Sequence, residues 1–62
     1  MPLTGKEMVK LLEKDGFTWV RTKGSHQIYY KEGIGNIPIP VHGNRALGKG
    51  LEQKILKDAG LK

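Results

Sequence analysis

Two histidines and a group of cations are the side chains of this sequence that can do chemistry. His26 follows a glycine and a serine in the stretch Arg21-Thr22-Lys23-Gly24-Ser25-His26-Gln27-Ile28-Tyr29-Tyr30. An imidazole takes and gives protons near neutral pH, so one positioned histidine can act as general base or general acid. RNA carries its own nucleophile, the 2′-hydroxyl. Cleaving it therefore requires little beyond proton transfer and stabilisation of charge on phosphorus. Arg21 can hold a phosphate through two donors, and Lys23 with the amides of Gly24 and Ser25 adds positive potential. His42 is the only other histidine. Two histidines can divide the work, one activating the nucleophile and one protonating the leaving group. Their separation cannot be read from the sequence. The plainer alternatives are a strand-end His26 bonded to backbone or water, and an ordinary loop histidine at position 42. Two histidines without cysteine fall short of a zinc site. With no P-loop, GxGxxG motif or acidic cluster, no metal and no nucleotide cofactor is expected.

The chain has 62 residues, enough for one domain (1–62) with one small core. It has no cysteine, hence no disulfide staple, and a partner protein is a natural source of extra stability. Eleven Lys and Arg against six Asp and Glu give a net charge of +5, which favours polyanions, with nucleic acid first. No stretch approaches the roughly 20 apolar residues of a membrane span, and none resembles a signal peptide. A cytoplasmic protein is the expectation.

Thr4 and Glu7 form a capping box, with Leu3 and Met8 as a hydrophobic staple. Met8, Leu11 and Leu12 recur at helical spacing, and Gly16 fits the left-handed residue after a helix, which predicts helix 1 over about residues 5–15. Phe17 to Thr22 and His26 to Lys31 have strand composition, with Lys23-Gly24 as the turn between them. The register that follows sets Arg21 opposite His26, Trp19 opposite Ile28 and Phe17 opposite Tyr30. It sends Phe17, Trp19, Ile28 and Tyr30 to the core, with Arg21 and His26 at the outer end of that same face. Tyr29 then stands on the open face with Thr18, Val20 and Gln27, where it can stack on a base or bond a phosphate.

Ile37, Ile39 and Val41 alternate with Pro38 and Pro40, which predicts an edge strand over residues 36–41. A polar, basic loop from His42 to Ala46 leads to helix 2, from Gly48 or Gly50 to Ala59. Its apolar stripe is Leu47, Leu51, Ile55, Leu56 and Ala59, with Glu52 on the wet side. Gly60 ends it, and Leu61 folds back on Leu56. The order is αβββα, an α+β fold of two layers: a three-stranded antiparallel sheet with both helices on one face.

Several of these residues recur in one known family. Gly16-Phe17 follows helix 1, Arg21 precedes Gly24-Ser25-His26, and an aromatic stands at Tyr29. Ile39-Pro40-Val41-His42-Gly43-Asn44, Gly50 and Ile55-Leu56-Lys57-Asp58-Ala59-Gly60-Leu61 complete the pattern over nearly the whole chain. In these features the sequence resembles the HicA toxins, the messenger-RNA interferases of HicA–HicB toxin–antitoxin pairs. The resemblance implies a double-stranded-RNA-binding-domain-like fold and a metal-independent endoribonuclease that cuts mRNA and arrests growth. It implies His26 as the catalytic histidine. It also implies a HicB-type antitoxin that covers the active site, with the toxin monomeric when free and hetero-oligomeric with its antitoxin. One departure is that many members carry a threonine N-cap where Leu51 stands, which leaves the start of helix 2 open.

On this reading His26 is the catalytic residue, as base or acid, and Arg21, Lys23, Gly24, Ser25, Tyr29 and His42 contact RNA or phosphate. A non-catalytic module that binds double-stranded RNA accounts for the fold and charge equally well. A subunit that only binds protein is a third possibility.

Overall fold

The computed structural model describes residues 2–62. Two helices and three strands follow in the order α1 (Gly5–Lys14), β1 (Thr18–Lys23), β2 (His26–Lys31), β3 (Gly35–Pro40) and α2 (Lys49–Asp58). The sheet is antiparallel, with strand order β1-β2-β3.

Local chemistry sets most element boundaries. The Thr4 hydroxyl accepts from the Glu7 amide at 3.1 Å, and the Glu7 carboxylate accepts from the Thr4 amide at 2.9 Å. This capping box satisfies two donors that the first helical turn leaves free. Gly16 (φ +102°) ends α1, and the Phe17 amide reaches back to the Leu12 carbonyl. At the end of α2, Gly60 (φ +76°) lets the Leu61 amide bond the Leu56 carbonyl in the same way. The N-cap of α2 is Gly48, with no side-chain cap, and Leu51 lies inside the helix.

The core lies between the helices and one face of the sheet. Met8 and Leu12 from α1 and Ile55 and Ala59 at α2 meet Phe17, Tyr29, Ile37 and Ile39. β2 pairs with β3 so that Tyr29 opposes Ile37 and Gln27 opposes Ile39, which puts these four on the helix side. His26, Ile28 and Tyr30 oppose Pro40, Pro38 and Asn36 on the other face.

This corrects the register expected for the first hairpin. The turn is Gly24-Ser25, not Lys23-Gly24, and Lys23 opposes His26 while Arg21 opposes Ile28. A β-bulge at Val20 shifts the pairing, so Trp19 opposes Tyr29. Side chains alternate with a period of two, so the assignment of faces inverts along β2. Tyr29 is core, 3% exposed, while Tyr30 is exposed and Trp19 is 56% exposed. Ile28 is buried but lies outside the core cluster, on the face away from the helices. The helices pack against β3, so β1 extends beyond their cover and all six of its residues are exposed.

Leu51, expected in the stripe of α2, is 37% exposed, and Glu52, expected in solvent, is buried. Glu52 has turned inward because its carboxylate accepts from the backbone amide of Leu3 and from the Gln53 side chain. The Leu47 amide donates to the Leu3 carbonyl at 2.8 Å, and Thr4 bridges to Ala46. The N-terminal segment is thereby tied to the loop before α2.

A Cβ on Gly5 would sit 2.2 Å from the Pro40 carbonyl oxygen and 2.9 Å from the Val41 Cα, both backbone atoms. Glycine to alanine in a helix ordinarily stabilises by about 1 kcal/mol. Here the clash reverses the sign, and Gly5→Ala is expected to lose about 2 kcal/mol in urea unfolding.

The Tyr29 hydroxyl donates to Glu13 at 3.0 Å. Burial, then the hydrogen bond and charge of Glu13, raises its pKa above the ordinary 10.0. Tyr29→Phe should cost about 1 kcal/mol near neutral pH. The folded state holds the proton more tightly than the unfolded chain, so this contribution is complete below pH 10 and declines as pH rises above it. The stability gap between wild type and Tyr29→Phe, measured by urea unfolding across that range, should narrow.

Candidate functional site

The site is built where all three strands end. Gly24 has φ +59°, and no residue other than glycine has a positive φ among those described. A two-residue turn with positive φ only at its first central position is type II′, which suits the twist of a hairpin. It delivers His26 as the first residue of β2, exposed, beside Lys23 on one neighbouring strand and Pro40 on the other. Directly opposed residues have Cβ atoms roughly 5 Å apart, so the Lys23 ammonium can reach any group that His26 touches. Arg21 is on the same face, two pairs further from the turn. Among the described residues, the Gly24 and Ser25 amides donate to no carbonyl in the turns and loops. They remain available to an anion.

His42 arrives by a different route. The Val41 amide donates to the Ser25 carbonyl at 2.8 Å, which carries the end of β3 past the hairpin turn. The chain then turns from His42 to Arg45 through Gly43 (φ +55°), closed by the Arg45 amide on the His42 carbonyl at 3.0 Å. Pro40, His42, Arg45, Ala46 and Leu47 line a shallow cleft of about 140 Å³. Pro40 is also the cross-strand partner of His26, so the two histidines flank one proline. Neither imidazole has a hydrogen-bond partner among the described residues.

The charge around the turn is uncompensated. All six acidic residues are engaged elsewhere. Glu7 caps α1, Glu13 accepts from Tyr29, Glu32 from Tyr30 and Glu52 from Leu3, while Asp15 and Asp58 pair with Lys31 and Lys54. Arg21, Lys23 and Arg45 have no acidic partner among the described residues. Cations left unpaired near one turn raise the local concentration of anions.

Of the residues expected at the site, Arg21, Lys23, Gly24, Ser25 and His26 come together, and His42 stands next to them across Pro40. Tyr29 does not join them. Its ring is packed in the core with its hydroxyl on Glu13, which leaves no face on which a base could stack. The aromatic on the open face is Tyr30. Arg45 was visible in sequence only as part of a basic loop. The turn that brings it beside His42 depends on Gly43 and on pairing with the hairpin.

No group of three or more His, Cys, Asp or Glu that could hold a metal ion occurs among the described residues. No described helix is long and apolar enough to cross a membrane. A search of curated proteins finds none that matches. The model of the family described as HicA toxin of bacterial toxin–antitoxin matches residues 5–61, nearly the whole chain and every element around the turn. The chain belongs to the HicA toxin family.

Proposed function

We propose that this toxin is a metal-independent endoribonuclease that cleaves mRNA in the cytoplasm, with His26 as its catalytic residue. The observation that carries the reading is an exposed, unpartnered imidazole opposite Lys23, beside a type II′ turn with free amides, in a region without acidic side chains. The phosphate to be cut sits over Gly24 and Ser25, held by their amides and by Arg21 and Lys23.

The 2′-oxygen attacks phosphorus and its proton passes to a base. The bond from phosphorus to the 5′-oxygen breaks, and that oxygen takes a proton from an acid. The products are a 2′,3′-cyclic phosphate and a free 5′-hydroxyl. His26 carries one of these two proton transfers. His42 serves the other or binds the adjacent phosphate; its position two residues beyond Pro40, the strand partner of His26, supports this. Lys23 and Arg21 offset the negative charge that grows on phosphorus. The lysines of the helices give sequence-tolerant affinity for the backbone.

A HicB-type antitoxin neutralises the toxin and is the partner of the hetero-oligomer. The competing reading, a module that binds double-stranded RNA without cutting it, is supported by the same charge but gives His26 no task.

The two readings separate on one substitution. His26→Ala should lower the cleavage rate of a defined RNA by about 100-fold or more, as loss of general acid–base catalysis does, while RNA affinity changes little. Unchanged cleavage by a folded His26→Ala protein would remove His26 from the mechanism. Duplex RNA bound but never cut by the wild type would favour the binding module.

A further inference from the structure

The sheet has two edges, and they differ in kind. Just beyond β3 the Val41 amide bonds inward to Ser25, so the alternate amides of the strand point outward. Two of those outward positions are Pro38 and Pro40, which have no amide hydrogen to give. The β3 edge is therefore closed to another strand. β1 has no proline, and all of its residues are exposed. The two-residue turn makes Lys23–His26 a hydrogen-bonded pair and Arg21–Ile28 the next one. Thr22 pairs with Gln27 between them, so the alternation turns its amide out of the sheet, toward the free edge.

Beside this edge stands Trp19, 56% exposed, its indole nitrogen donating to the Thr22 hydroxyl at 3.1 Å. Val20 is also exposed at 43%. A tryptophan held in place yet bare, on an edge with free backbone donors, is an anchor in search of a pocket. The charge beside it selects the occupant. Arg21 and Lys23 lie on β1 without acidic partners among the described residues. A second copy of the chain would bring the same cations and a further net +5 against them. The Val20 bulge and these cations are the devices by which edge strands avoid pairing with themselves. Neither excludes an acidic strand.

We propose that the antitoxin docks by adding an acidic, extended segment to the outer edge of β1, with Trp19 buried in an apolar pocket of the antitoxin. The proposal rests on the toxin–antitoxin character of the family. Adjacent strands lie about 4.8 Å apart, so the added strand would run roughly 10 Å from β2. Its acidic side chains on the open face would meet Arg21 and Lys23, the cations assigned above to phosphate. Docking at the edge thus removes the charge that attracts RNA, and a single contact both binds the toxin and silences it.

The test uses the whole toxin and a full-length HicB-type antitoxin. In the complex, hydrogen exchange at the Thr22 amide should slow by about tenfold or more. Thr22→Pro, which removes the outward donor, and Trp19→Ala should each weaken the complex by about tenfold or more, whereas Thr22→Ser, which keeps both the amide and the hydroxyl that holds Trp19, should stay within about twofold. If Thr22→Pro fails to fold, amide exchange in the unaltered protein and the Trp19→Ala affinity still decide the matter. A complex that forms with Thr22 exchanging freely overturns the docking site and leaves the toxin–antitoxin reading standing. No complex at all overturns both. Protection of Thr22 by a short RNA instead of the antitoxin would assign the edge to nucleic acid and overturn the proposal.

Discussion

At the point where all three strands end, the Val41 amide meets the Ser25 carbonyl at 2.8 Å. That bond pins the hairpin turn to the last residues of β3, and with it the register of the central strand. A slip of one residue would carry His26 and Ile28 to the helix side and turn Tyr29 out of the core. The same segment is held from the helix side, where Gly5 packs directly against the Pro40 and Val41 backbone. Through these two contacts α1, the type II′ turn, β3 and the His42 loop behave as one unit. The candidate catalytic groups are exposed, but the backbone that carries them is fixed on three sides.

Such fixing matters in a chain of 62 residues with no cysteine. A domain of this size has little core to spare. Much of the order at the site comes from specific polar contacts. The buried Glu52 carboxylate holds Leu3, and Leu3 in turn accepts from Leu47, so the loop bearing His42 and Arg45 is closed at its far end. Hydrogen bonds to a charged group are worth about 1.5–3 kcal/mol, a large share of marginal stability.

The helix ends, β2 and the proline-marked edge were legible because each depends on residues a few positions apart: the Thr4–Glu7 box, Gly16, Gly60, and Pro38 with Pro40. The contiguous part of the site, Arg21 to His26, was legible for the same reason. The faces of β2 were not. Ile28-Tyr29-Tyr30 is apolar at three successive positions, so alternation offers two answers, and the bulge at Val20 has no glycine to announce it. Trp19 looked like core because it is large and apolar, but the helices cover β3 and stop short of β1. Glu52 was unreadable because its partner is 49 residues away. Tyr29 was misplaced by the same inversion that moved His26 from the rim of the core to the open face, where a phosphate has a clear approach.

In the proposed reaction the 2′-hydroxyl of the RNA is the nucleophile, protons are moved by histidine and no metal takes part. The most direct measurement is the chemistry of the cut ends. A defined RNA is incubated with the toxin in excess chelator and its products analysed by mass spectrometry, beside the same RNA with one 2′-deoxy residue at the cleavage position. Attack by the 2′-hydroxyl leaves a 2′,3′-cyclic phosphate and a 5′-hydroxyl, and makes no cut at the 2′-deoxy position. Ends bearing a 5′-phosphate, or cleavage of the deoxy-substituted strand, would contradict it.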